Sequence, residues 1–218
     1  MTEGPTIIRK CSSCSMLVKQ ETINSGNTFG ARYWTDGKRF APMLPDQPWL
    51  VKCPHCTKFI WIDEQKYVGK VNPFEFTKSF QSAKFSDDLS FEDYIDYLSA
   101  GVEPGNKERY VRQRTWWAGN DSRRGNWWDP ENVPDEKNQN KPFTEDETNN
   151  LLFLLETLNE EYDSDRLMKA EAYRELGMFS RAEALLEILF DKDIIEAAEF
   201  IRHLNQNRNI AVAEIIFK

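Results

Sequence analysis

Hydrophobic and polar residues alternate on two different scales along the chain. In residues 1–75 the apolar positions come in short bursts closed by turn-forming residues. Thr6-Ile7-Ile8 leads into Cys11, and the segments 29–35 and 38–41 flank Asp36-Gly37. Trp49-Leu50-Val51 precedes Cys53, and Phe59-Ile60-Trp61-Ile62 follows Cys56. Such bursts, rich in β-branched and aromatic side chains, predict strands. Asp-Gly between two of them predicts a hairpin, because both turn positions tolerate positive φ. Pro42, Pro45 and Pro48 break any regular element before the next strand.

The pattern then turns helical. Ser90, with Asp93 three residues on, predicts the capped start of a helix from Phe91 to Ser99, ending near Gly101. A second helix is expected from Asn106 to Ala118, stopping at Gly119-Asn120-Asp121. The polar run 127–146 holds three prolines and no apolar periodicity, which places a linker at 129–143. Thr144-Glu145-Asp146-Glu147 then opens a helix with Leu151, Leu152, Leu155 and Leu158 at helical spacing. Gly177 suits the end of a further helix, and Ser180 suits the cap of the next. The expected organisation is a strand-built domain (1–75), a helical middle segment (76–128), the linker and a helical bundle (144–218), an α+β chain.

Composition changes little in this picture; charge changes more. A hydrophobic content of 40% and a charged content of 29% are ordinary for a globular protein. No run of 18 apolar residues is present, and the first twenty residues lack a basic start with an apolar core, so a cytoplasmic protein without a membrane span is expected. The net charge of −8 is uneven: residues 1–128 hold 18 Lys and Arg against 15 Asp and Glu, and residues 129–218 hold 10 against 21. The acidic half is read as solvated helix faces.

All four cysteines fall in two Cys-x-x-Cys pairs, Cys11/Cys14 and Cys53/Cys56, with 38 residues between the pairs and none left over. Four thiolates fill the tetrahedral sphere that zinc prefers. The gap exceeds the usual spacing of about 15–20 residues. Loop closure tolerates this, at about 0.6 kcal/mol per doubling of length, and the Asp36-Gly37 hairpin is expected to fold within it. The pattern resembles a zinc ribbon over residues 6–63, in which two knuckles cap short antiparallel strands, and the resemblance implies a structural metal site. Cys53-Pro54-His55-Cys56 is also similar to the active site of oxidising thioredoxin-fold enzymes. Those pairs open a helix, whereas Thr57–Ile62, rich in β-branched and aromatic side chains, is poor as a helix start. Zinc is the first reading, with iron in a rubredoxin-like site and thiol redox chemistry as the alternatives. His55 is read as a turn residue, since four sulfurs suffice.

Ala172, Tyr173, Leu176, Gly177, Phe179, Ala182 and Leu186 fall where a tetratricopeptide-type helical hairpin places its packing residues, and this likeness covers one repeat. It implies that Ala172 and Ala182 sit at a close helix crossing. A zinc ribbon followed by such a hairpin resembles small bacterial proteins that join the two parts. That likeness implies a non-enzymatic scaffold or adaptor whose partner is another protein.

Residues 108–128 offer a different chemistry, with five arginines and four tryptophans. Arg112, Arg114, Arg123, Arg124, Trp116 and Trp127 are the candidate partner-binding residues, and such a set also suits single-stranded nucleic acid or ribosomal RNA. The opposing reading is a packed seam of tryptophan against arginine stems, favoured by the acidic balance of the whole chain. Two histidines, no phosphate-binding glycine loop and no Ser–His–Asp order leave an enzyme the less favoured class.

Overall fold

The computed structural model describes residues 1–73, 80–124 and 136–217, with only the backbone at 136 and 137. Its strands are β1 (Thr2–Glu3), β2 (Thr6–Lys10), β3 (Leu17–Gln20), β4 (Ile23–Ser25), β5 (Arg32–Trp34), β6 (Arg39–Phe40), β7 (Leu50–Lys52), β8 (Phe59–Trp61), β9 (Lys66–Val71), β10 (Lys84–Phe85) and β11 (Glu214–Ile215). Its helices are α1 (Phe91–Ser99), α2 (Asn106–Arg124), α3 (Glu136–Gln139), α4 (Glu145–Thr157), α5 (Asp163–Glu175), α6 (Phe179–Leu186) and α7 (Ile195–Gln206). Every described strand but β11 precedes the helices, an α+β arrangement. No described helix is long and apolar enough to cross a membrane.

The chain packs as two compact units: Met1–Ala31 with Phe40–Asp93, and Arg32–Arg39 with Tyr94–Lys218. In the first unit β3, β2 and β9 form an antiparallel sheet, and β10 adds to β3 in parallel. β7 and β8 form a separate hairpin, pairing Leu50 with Trp61 and Lys52 with Phe59. Ile8, Val18 and Ile60 are the inward residues of β2, β3 and β8, as strand alternation requires. In β7 both Leu50 and Val51 are buried, as is Ile62 just after β8, and Cys11 and Cys53 cluster with Val18, Val51, Ile60 and Ile62. Ser90 caps α1 as expected: its Oγ accepts the Asp93 N–H at 3.2 Å, and Asp93 accepts the Ser90 N–H at 3.1 Å.

The Asp36-Gly37 hairpin forms, but in the second unit. Gly37 alone of the pair has positive φ (80°), and its N–H bonds the Trp34 carbonyl at 2.9 Å. The loop Thr35-Asp36-Gly37 is thus a type I turn closed by a left-handed glycine, the usual three-residue hairpin. Its strand β5 pairs antiparallel with β11, from the far end of the chain, so the hairpin does not fold with the cysteine turns as expected. Two long-range ties reinforce that pairing: the Thr35 N–H bonds the Ala213 carbonyl at 2.9 Å, and Arg32 forms an ion pair with Glu214 at 2.6 Å.

Two apolar clusters build the helical part. Trp116 of α2 packs with Leu151, Leu154, Leu155, Leu158 and Ala172, while Ala170, Ala182, Leu185, Leu186, Phe190, Ala198 and Ile201 form the second. Tyr173 lies against both. Helix α2 runs on to Arg124, past the expected stop at Gly119. Thr144 and Glu147 form the expected capping box on α4, but Leu152 is exposed and Leu154 takes the inward place. Gly177 (φ 72°) ends α5 as expected. Helix α6 begins at Phe179 after Met178, so Ser180 is not its cap. The small residue that shares a cluster with Ala182 is Ala170, not Ala172; two residues along a helix turn a side chain through about 200°. Of the expected linker, 129–135 lie outside the described residues and Glu136–Gln139 is helical.

Candidate metal centre

Each Cys-x-x-Cys turn is the tip of an antiparallel hairpin. Lys10 opposite Leu17 closes the β2–β3 hairpin, and Lys52 opposite Phe59 closes the β7–β8 hairpin. The turns have the same internal geometry. The Cys11 N–H bonds the Met16 carbonyl, and the Ser15 N–H returns to the Cys11 carbonyl, both at 2.9 Å. Cys53 with Lys58, and Thr57 with Cys53, repeat the two bonds at 2.9 Å. Ser15 (φ 63°) and Thr57 (φ 58°) both adopt the left-handed conformation, uncommon outside glycine and at its costliest for a β-branched residue such as Thr57. A strained residue repeated at the same place in both turns points to a shared demand on the backbone.

That demand is the convergence of sulfurs. Cys11 Sγ lies 4.0 Å from Cys56 Sγ, and Cys14 Sγ lies 3.7 Å from Cys53 Sγ. All four sulfurs fall within 4.8 Å of one another. A tetrahedral ion with metal–sulfur bonds of about 2.3 Å separates its ligands by about 3.8 Å, so the set fits one ion. A disulfide needs about 2.05 Å, and all four cysteines are free thiols. The four form a site able to bind a metal ion, and it is the only such cluster among the described residues.

The thiols compete for the little positive potential around them. At Cys11 burial raises the pKa, but backbone N–H groups of Cys14 and Ser13 and the side chains of Cys53 and Cys14 outweigh it, leaving about 7. At Cys53 burial wins over the N–H groups of His55 and Cys56, and the pKa rises to about 12. A bound divalent cation supplies the missing charge and lets all four ionise.

Two side chains brace the turns. His55 Nε2 lies 3.0 Å from the Leu17 carbonyl, tying the second turn to the strand after the first. Gln65 Oε1 accepts the Ser12 N–H at 2.9 Å, and its amide donates to the Trp61 carbonyl at 3.0 Å. His55 is a turn residue, as the sequence indicates; Gln65 carries no sequence signal, since a single glutamine nine residues beyond Cys56 matches no metal-binding spacing. Cys56 is followed by a left-handed residue and a strand, so the second pair does not open a helix.

Of the arginine–tryptophan residues, Arg112, Arg114, Trp116, Arg123 and Arg124 lie on α2 in the second unit. Trp116 is buried and donates its indole N–H to Glu175 at 2.8 Å. Arg124 is buried against Asp36, and Asn120 donates to Asp36 at 3.1 Å and to Glu175 at 3.0 Å. Arg123 is buried, pairs with Glu147 at 2.6 Å and stacks 4.5 Å from the Phe143 ring centre. Arg112 is half-buried, paired with Glu108 at 2.7 Å and stacked on Phe153. Arg114, also half-buried, donates to the Tyr94 hydroxyl at 3.3 Å and lies over Tyr110 and Trp117. Trp127 lies outside the described residues. No protein-family model, curated protein or solved structure matches the chain.

Proposed function

We propose that the four sulfurs hold a structural zinc ion and that the chain is a scaffold or adaptor, binding another protein through its helical unit. The observation that carries this reading is the sulfur set, with separations of 3.7 and 4.0 Å at the tips of two matched hairpins. An ion held by four sulfurs has no open position for a substrate, which favours a structural over a catalytic metal. The same donor set suits iron, and visible absorption separates the two: an iron–thiolate centre is coloured and zinc is not.

Protein is preferred over nucleic acid as the partner because of where the arginines go. Arg123 and Arg124 are spent on Glu147 and Asp36, and Trp116 is interior, which leaves the candidate Arg/Trp set fewer cations and rings for phosphates and bases. Affinity purification of the full chain with and without nuclease tests this. The reading expects a protein partner retained after nuclease treatment, whereas a partner lost on that treatment overturns it in favour of RNA or DNA.

A further inference from the structure

The loop after α6 presents apolar side chains outward from a fixed backbone. Leu189 is 88% exposed and Ile188 is 49% exposed, although the chain on either side is held firmly. The Arg166 guanidinium, itself buried, donates to the Leu189 carbonyl at 2.8 Å and lies 4.4 Å from the Phe190 ring centre, with Phe190 inside the core. The Asp191 N–H bonds Asp163 at 2.7 Å. Arg166 also reaches the Glu160 carbonyl at 3.3 Å, so the loops before α5 and after α6 meet at one guanidinium. Tyr162, on the first of these loops, is 63% exposed. A free loop would turn such side chains against the protein; here the backbone bonds hold them out.

The charge beside them has one dominant sign. Glu161, Glu187, Asp191 and Asp193 are exposed on the same two loops, and Lys192 is the only exposed cation there. Glu160 is already paired with Lys169 at 2.7 Å. We infer that Tyr162, Ile188 and Leu189 form a docking surface for a basic segment of a partner protein, one whose Lys or Arg residues flank apolar anchors. The inference rests on the protein-binding reading above and specifies its surface. Exposed apolar clusters rimmed by polar residues mark interaction sites, and an acidic rim selects a basic partner. A second copy of this chain is disfavoured, because self-pairing brings the same acids together.

Photo-crosslinking in the producing cells tests this on the full chain. A benzophenone side chain is placed at position 189 and, separately, at exposed Glu156 and Glu199 on other helices of the unit, and each crosslinked peptide is sequenced. The expected result is capture at 189 of segments in which Lys and Arg outnumber acids around apolar residues. The yield falls about tenfold with Glu187→Lys and Asp191→Lys together, at an unchanged circular dichroism spectrum. Capture at 189 of acidic segments, or only of another copy of this chain, overturns the inference. Capture at 156 or 199 alone overturns it and leaves the protein-binding reading standing, and no capture at any position removes both.

Discussion

Cys11 and Cys53 hold equivalent places in two matching turns, yet one thiol is brought down to about 7 and the other pushed up to about 12. Once one of four clustered sulfurs is a thiolate, its charge resists ionisation of the next, and a cation resolves the conflict. The residues that keep the turns in place should then matter nearly as much as the ligands. Gln65→Ala leaves the Ser12 N–H without its acceptor and is expected to lower metal affinity about tenfold, measured by competition with a chromophoric chelator. An unchanged affinity removes Gln65 from the support of the site. The four clustered cysteines were legible in the sequence because the Cys-x-x-Cys spacing is a local property. Gln65 was not, since its partner lies 53 positions away.

At the scale of elements, legibility follows the reach of the forces. Helix α1, the capping box of α4 and the end of α5 form where the sequence places them, because caps and left-handed glycines act within a few residues. Helix α2 outruns its local stop signal at Gly119, because its last turn is held by distant partners: Asp36 for Arg124 and Glu147 for Arg123. Helix α5 has a similarly unexpected inner face, where Glu171, Arg174 and Glu175 are all buried. Burial, together with the neighbouring Glu171, pushes the Glu175 carboxyl up to about 8 despite Arg174 and the bonds from Asn120 and Trp116. Its folded pKa lies above its unfolded value, so its contribution to stability is full below the unfolded pKa of 4.5 and is lost as pH rises towards 8. Glu175→Gln, a neutral mimic that still accepts the Trp116 N–H, should therefore gain on the parent over that window. The gain is expected to be on the order of 2 kcal/mol, read from urea midpoints followed by near-ultraviolet circular dichroism. A constant difference across the window contradicts this.

At the scale of the molecule, the chain threads its two units in an order that local signals conceal. It leaves the cysteine-bearing unit after Ala31, gives the hairpin 32–39 to the helical unit, and returns at Phe40 before the second pair of cysteines. Turn chemistry at Asp36-Gly37 predicts a hairpin but carries no information about which strand it will join, and that strand, β11, is formed by Glu214–Ile215. Replacing 32–39 with glycine and serine should leave the metal content unchanged, because the ligands lie outside it. The same change should lower the thermal transition of the helices, which lose Asp36 from Arg124 and Trp34 from the core. Loss of metal on this replacement contradicts the division into units. Convergence of the four sulfurs on one ion remains the central claim, and metal content measured together with thiol reactivity on the native full chain tests it most directly. The account predicts one zinc per chain and four thiols that resist alkylation until a chelator removes the ion. Metal-free protein with four readily alkylated thiols and an unaltered circular dichroism spectrum would contradict it.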